Sequence, residues 1–330
     1  MILTSPDSLQ SSTLFRLTQN LRGRLDNATV ELATGRAVDS TKAARGDNAT
    51  LLRAQRTLDS IDPERGRLTV LSGRYLVAAS ALRSINEVAG QTALTAQAVG
   101  DLTNKDADVI AASEAFTAIG SVLATLNTSF GGRSLFAGDA GVGAAVADLS
   151  TFYAWAEGVV SSAPAAAADK LAALDTEFAV TGGFDTNAYL AGAQLTDPQL
   201  AGGQTIGTLP TADDEAFRDL LKGLVMVATN ELVDPAERSQ WVLDATVIIQ
   251  SARDRITTEE ASIGLAQNTL DREADRLSRE LFDAESTIER ILGRDPFEVA
   301  TETQSLEVRL QALYTVTART SSLRLTNFLR

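Results

Sequence analysis

Apolar residues return at alternating spacings of three and four along most of the chain, the period that keeps one stripe on one side of a helix. Leu68, Leu71, Tyr75, Ala78, Leu82, Ile85 and Ala89 form one run, and Val109, Ala112, Phe116, Ile119, Leu123, Leu126 and Phe130 a second. A third runs Val242, Ala245, Ile249, Ala252, Ile256 and Ile263, with Glu259 as its one polar interruption. After a skip it resumes as Leu270, Ala274, Leu277, Leu281, Ala284, Ile288 and Ile291. A 3.5-residue period sustained this long is the coiled-coil pattern. It predicts long rods, since a helix of about fifty residues runs roughly 75 Å. Opposite charges four apart (Arg255–Glu259, Asp275–Arg279, Arg276–Glu280, Arg279–Asp283) fit a solvated outer face. Asp295-Pro296 stops or kinks the last rod, because proline lacks an N–H and disfavours helical geometry before it.

The two ends carry stripes of their own. Near the N-terminus these are Leu14, Leu17, Leu21, Leu25, Ala28 and Leu32. Near the C-terminus they are Val299, Thr303, Leu306, Leu310 and Leu313, then Leu323, Leu325 and Phe328. Chain ends are poorly ordered unless tied down. Apolar seams at both ends therefore predict pairing with each other or with other subunits.

Helix breakers gather in between. Prolines stand at 6, 63, 164, 198, 210, 235 and 296, and 12 of the 23 glycines lie within 131–207. Eight of the 17 aromatics fall between Phe130 and Tyr189. The pattern predicts a mainly α fold: an elongated antiparallel helical bundle or coiled-coil rod from the N- and C-terminal segments, with a small mixed α/β inserted domain at its tip. The predicted divisions are 1–45 (assembly helix and turn), 46–135 (ascending rod), 136–214 (variable insert), 215–295 (returning rod) and 296–330 (C-terminal assembly helix). Within the insert, 146–178 reads as helical and Tyr189–Leu209 as a loop or short hairpin. Phe152, Tyr153 and Trp155 read as its small core.

Composition narrows the chemistry. The 330 residues include no cysteine and no histidine. That excludes a Ser-His-Asp triad, His-ligated metals, thiol nucleophiles, disulfides and thiolate metal sites. With 43 acidic and 29 basic residues the net charge is −14, against nucleic-acid binding. No uninterrupted apolar run of 18 residues is visible, so no membrane span is expected. Met1–Asp7 has neither a basic nor an apolar region of a cleavable signal. Gly141-Val142-Gly143 lacks the third glycine and sheet context of a dinucleotide site, and Arg45-Gly46-Asp47 reads as a loop between helices. Asp213-Asp214-Glu215 could hold a hard cation, but it precedes an apolar run and reads as a helix cap. The sequons at Asn27, Asn48 and Asn127 lie in or beside predicted helices. No catalytic residue, cofactor or metal is expected.

Two segments resemble the bacterial flagellin superfamily. Glu31-Leu32-Ala33-Thr34-Gly35-Arg36 resembles the family's turn after the first helix. The more specific match is Leu126-Asn127-Thr128-Ser129-Phe130-Gly131-Gly132-Arg133-Ser134-Leu135-Phe136-Ala137-Gly138, similar to the segment by which the family leaves its long helix for the inserted domain. Asp295-Pro296 and Thr326-Asn327-Phe328-Leu329-Arg330 are similar to family endings. The resemblance covers about 1–138 and 215–330. Within the superfamily the Leu-Phe-Ala-Gly wording and the length fit the hook–filament junction members best, with filament flagellin as the alternative. The junction members' Asp-Asp-Pro is absent at Asp39-Ser40-Thr41. A coiled-coil signalling or secreted effector protein shares the heptads but not this exit segment.

The resemblance implies an extracellular flagellar subunit, exported unfolded without a cleaved signal. Its partners would be copies of itself, a neighbouring hook-associated protein and flagellin, with an export chaperone, and neither nucleic acid nor membrane. The assembly seam would be Leu14, Leu17, Leu21, Leu25, Leu32, Leu306, Leu310, Leu313, Leu323 and Phe328. The family motif residues would be Gly35, Asn127, Gly132, Arg133, Leu135, Phe136 and Gly138.

Overall fold

The computed structural model describes residues 6–100, 105–201 and 203–328, and 76% of it is helical. The fold is mainly α, as the periodicity predicts. It forms two compact units, Met1–Pro63 with Arg276–Arg330, and Glu64–Asp275. The division therefore falls inside two long helices rather than at the predicted boundaries near 45 and 295.

The first unit holds α1 (Pro6–Thr34), α2 (Ser40–Ala43), the start of α3 (Asn48–Gly100), the end of α9 (Arg238–Leu292) and α10 (Pro296–Phe328). α1 and α10 lie antiparallel around Leu21, Ala28 and Leu306, with Leu25, Leu310 and Leu313 half-buried against them. A second cluster joins Ala44, Leu51 and Ala54 to Ala284, Ile288 and Leu292. Full burial of a leucine contributes roughly 1.5–3 kcal/mol, so these stripes hold the unit together. Asp295-Pro296 restarts the chain as expected: proline takes the first position of α10 and the Asp295 carboxylate accepts the Phe297 N–H at 2.8 Å.

The second unit contains the rest of α3 and α9 with α4 (Lys105–Leu126), β1 (Ser129–Phe130), β2 (Arg133–Ser134), α5 (Leu149–Ser162), α6 (Ala167–Glu177), α7 (Gly183–Asn187) and α8 (Glu215–Ala228). Leu68, Tyr75, Ala78, Leu82, Ile85 and Ala89 of α3 are buried, as are Val242, Ala245, Ile249, Ala252, Ile256, Ile263 and Leu270 of α9. The two helices are stitched by Asn86, which donates to Thr257 at 3.0 Å and accepts from Arg253 at 2.8 Å.

The chain reverses more often than predicted. α4 runs back along α3, with Thr95 donating to Glu114 near one end and Arg74 donating to the Ser134 carbonyl near the other. Residues 46–135 are thus two helices, not one ascending rod. The insert leaves beside Gly73 of α3, where the Phe130 ring packs so close that a Cβ would overlap it. Residues 215–295 likewise split into α8 and α9, antiparallel neighbours joined by the Trp241 indole donating to the Met226 carbonyl at 2.7 Å. α8 buries Phe217, Leu220, Leu221, Leu224, Val225 and Met226 on a wide apolar face and leaves Glu215, Asp219 and Lys222 on a narrow polar one.

Several seam positions shift. Val109 and Phe116 are exposed while Ala111, Ala115 and Ala118 are buried, so small residues face inward over the first half of α4. Ala274 is exposed and Glu273 takes the buried place. Arg255 pairs with Glu215 (2.5 Å) and Asp219 (3.0 Å) of α8 rather than with Glu259, because partners across the helix pair are within reach. Arg276–Glu280 forms as expected. Asp108–Leu126 is, contrary to expectation, long and apolar enough to cross a membrane by length and composition. Its Ala115, Ile119, Val122, Leu123 and Leu126 are buried within this unit.

The insert carries α5, α6 and α7, and among its described residues the β content is limited to isolated bridges at Val146–Tyr189 and Gln199–Thr205. Phe152, Trp155, Phe178 and Phe184 form its core, with ring centroids 5.2–6.4 Å apart. Tyr153 leaves that core and packs edge-on against Phe116 of α4 at 4.8 Å.

Candidate assembly site

The terminal seam and Gly35 fall in the first unit and the rest of the family motif in the second, and their residues do different things. On the seam, Leu21 and Leu306 are buried together and Leu25, Leu310 and Leu313 pack against them. Leu14 is half-buried. Leu17 and Leu32 are 48% and 40% exposed, on helix faces the α1–α10 pair leaves open. The side chains of Leu323 and Phe328 lie outside the described residues. The same helices expose Phe15, Val30, Val308 and Val316 at 50–63%. Sequence periodicity did not single these out, since they stand off the seam. Apolar surface therefore remains on α1 and α10 after they have paired. Polar contacts fix the register of the pair: the Arg22 guanidinium donates to the Tyr314 hydroxyl at 2.7 Å, and Arg24 meets Glu302 at 3.2 Å.

Gly35 ends α1. It adopts φ +68° and its N–H donates to the Glu31 carbonyl at 2.8 Å, a left-handed C-cap. Beyond it, Arg36 and Gly293 form an antiparallel bridge. The Glu31 carboxylate accepts the Val38 N–H at 3.0 Å and lies 3.7 Å from Arg294. Arg294 also meets Glu302 at 3.2 Å. The ends of α1 and α9 and the start of α10 are thus tied by one charged network.

In the other unit the motif builds the exit from α4. Phe130 pairs with Arg133 across Gly131-Gly132, whose φ values of +59° and +78° suit a two-residue hairpin turn. Asn127 clamps the segment that enters the insert: its Oδ1 accepts the N–H groups of Ala145 (2.7 Å) and Val146 (2.9 Å), and its Nδ2 donates to the Val146 carbonyl (3.0 Å). Leu135 and Phe136 are buried, with Phe136 edge-on to Phe217 of α8 at 6.0 Å. Gly138 has φ +56°, and a Cβ there would overlap the Ala193 carbonyl. Burial lowers the pKa of Arg74, and the Arg133 guanidinium, which folds over Gly141, adds to that effect. Asp214 caps α8 by accepting the Ala216 N–H at 3.0 Å.

No protein-family model matches the chain, and no curated protein matches it. Among solved structures it is similar to the crystal structure of Bacillus cereus FlgL, at 13% identity and a TM-score of 0.42, over 75% of this chain and 100% of that one. It is also similar to a Vibrio parahaemolyticus protein described as a flagellar hook-associated protein, at 12% identity and a TM-score of 0.41, over 71% of this chain and 95% of that one. Likeness of this degree assigns neither a family nor a function to the chain.

Proposed function

We propose that this chain is a structural subunit of the bacterial flagellum acting at the hook–filament junction, in the role of hook-associated protein 3. The observation that carries the reading is the α1–α10 pair: it joins the two chain ends through Leu21 and Leu306 and still exposes Phe15, Leu17, Val30 and Val308. A helix pair with apolar surface to spare is suited to packing against the same pair in neighbouring subunits. The exit segment Leu126–Gly138 supports the reading because each residue that resembles the family motif has a defined structural task here. The role is mechanical and non-catalytic, and the partners are copies of this chain, a neighbouring hook-associated protein and flagellin, with an export chaperone before assembly. Location on the extracellular flagellum, after export without a cleaved signal, follows from the same reading.

Filament flagellin is the second reading, favoured by Asp39-Ser40-Thr41 where a junction subunit has Asp-Asp-Pro. Electron microscopy of a deletion strain separates the two. Hooks without filaments are expected for the junction role; filaments that persist but are shortened or altered in composition would instead indicate flagellin.

A further inference from the structure

The net charge of −14 is not spread evenly along the chain. The first unit, Met1–Pro63 with Arg276–Arg330, carries 16 basic and 15 acidic residues and is near neutral at +1. The second, Glu64–Asp275, carries 13 basic and 28 acidic residues, a net charge of −15. Within it the insert 136–214 holds ten acidic residues and a single basic one, Lys170.

The cations in and around the insert do little to offset this at the surface. Lys170 is 4% exposed, and its Nζ donates to the Val160 carbonyl at 2.7 Å. Arg218 is buried and donates to the carbonyls of Asp213 (2.7 Å) and Phe178 (2.9 Å). Lys222 is held by Asp175 and Asp219, and Arg255 by Glu215 and Asp219. Asp139, Asp148, Glu157, Asp169, Asp185 and Asp197 are exposed, so the insert shows water charge of one sign.

The first unit is built differently. Its charges are matched in pairs such as Arg24–Glu302, Arg36–Glu289 and Arg294–Glu302. It exposes Phe15, Val30, Phe282, Phe297 and Val308 at 50–82%. The second unit exposes Leu76, Leu94, Val247 and Leu265 at 64–69%. Charge, and not apolar exposure, therefore separates the two. A surface near zero net charge favours association, and a strongly charged one keeps copies apart.

We propose that the second unit is an electrostatic brake on self-association: copies of this chain pack through the near-neutral first unit against the mutual repulsion of their −15 units, and screening by salt releases the brake. The inference rests on the assembly reading above and adds the condition under which assembly proceeds. Its sign is the opposite of that for an interface held by ion pairs, which salt weakens. The Debye length falls from about 20 Å at 0.02 M to about 4 Å at 0.5 M ionic strength. Repulsion between neighbouring copies therefore acts at the lower value and is largely screened at the higher.

Sedimentation velocity of the full chain in NaCl tests this. Self-association of the wild type should strengthen by about tenfold or more between about 0.02 and 0.5 M. Glu87, Glu157, Asp169, Asp185 and Asp254 are exposed acids of the second unit. The variant Glu87→Gln/Glu157→Gln/Asp169→Asn/Asp185→Asn/Asp254→Asn lowers that unit's charge to about −10, which more than halves a repulsion that scales as charge squared. It should associate more tightly than the wild type at 0.02 M and gain less from salt. Glu157→Gln/Asp185→Asn should give a smaller change of the same sign, and unaltered circular dichroism should accompany both. Wild-type association that is flat or weaker at 0.5 M overturns the brake. So does a five-fold variant whose salt gain equals the wild type's, since the gain is then apolar salting-out. The Leu21→Asp/Leu310→Asp variant separates the two failures. If it alone loses association while the wild type responds flatly to salt, only the brake fails. If it associates like the wild type, or the wild type stays monomeric at both salts, the assembly reading fails as well.

Discussion

Arg36 and Gly293 face each other in an antiparallel bridge, with the Ala37 N–H donating to the Leu292 carbonyl and the Arg294 N–H to the Gly35 carbonyl, each at 2.8 Å. Two helix ends far apart in sequence are thereby held side by side within one unit. Gly35 makes the geometry possible, because its φ of +68° lies where L-residues are strained. Nothing lies within 4 Å of a Cβ built there, so the constraint is conformational and not steric. Gly35→Ala is expected to destabilise this unit by about 1–2 kcal/mol. Gly35→Asn should cost less, since asparagine tolerates the left-handed region. Urea unfolding followed by circular dichroism checks both.

Asn127→Ala should act elsewhere. It removes three hydrogen bonds and strands the N–H groups of Ala145 and Val146, whose residues are fully buried. An unsatisfied buried donor costs about 1–3 kcal/mol, so a loss of about 2–3 kcal/mol is expected. Hydrogen exchange should accelerate around residues 145–146 and leave the α1–α10 pair unchanged.

Glu259 interrupts the α9 seam and is half-buried, and its pKa is raised by that burial and by Asp214. A raised carboxyl pKa means the folded state disfavours the charged form, so the favourable contribution is present at acid pH and lost as pH rises through the folded pKa. At pH 7, Glu259→Gln is therefore expected to raise the melting temperature. The gain should shrink as pH falls into the carboxyl range. A melting series from pH 7 to about pH 4 reads it directly.

Tyr75 and Tyr189 give the opposite end of the pH scale. Burial pushes both hydroxyls up to about 12, and the Tyr75 hydroxyl donates to the Gly207 carbonyl at 2.6 Å. The folded state favours the protonated phenol, so stability is full below pH 10 and falls as pH rises toward 12. Tyr75→Phe and Tyr189→Phe should each flatten that alkaline loss, measured by denaturant midpoint against pH.

The features legible in the sequence are those with a local cause. The seams of α3 and α9 show because each buries one stripe against one partner, and Asp295-Pro296 marks the restart of α10 because proline acts on its immediate neighbours. The Gly131-Gly132 hairpin is not marked in that way, because Phe130 continues the helical period up to it although it stands in β1. The reversal between α3 and α4 was not legible, since no proline marks it and the seam pattern resumes after it. α8 is not separable from the rod in the sequence, because its apolar period resembles that of the flanking helices and only the tertiary arrangement shows that Glu215, Asp219 and Lys222 face α6 and α9. Arg255 passed over the i+4 partner Glu259 for Glu215 and Asp219 of α8, a choice that needs the tertiary arrangement. Glu273 in place of Ala274 marks a one-position slip that a two-letter pattern does not resolve. The candidate site was legible to a similar depth. Leu21, Leu25, Leu306, Leu310 and Leu313 come together, whereas the exposed Phe15, Val30 and Val308 stand off the period and emerge only from the fold.

The most direct test of the central claim replaces the buried seam in a living cell. A deletion strain carrying Leu21→Asp/Leu310→Asp should export the protein, retain the folded second unit by limited proteolysis, and show hooks without attached filaments in electron micrographs. Normal filaments on those hooks would contradict the claim that the α1–α10 pair is the assembly element.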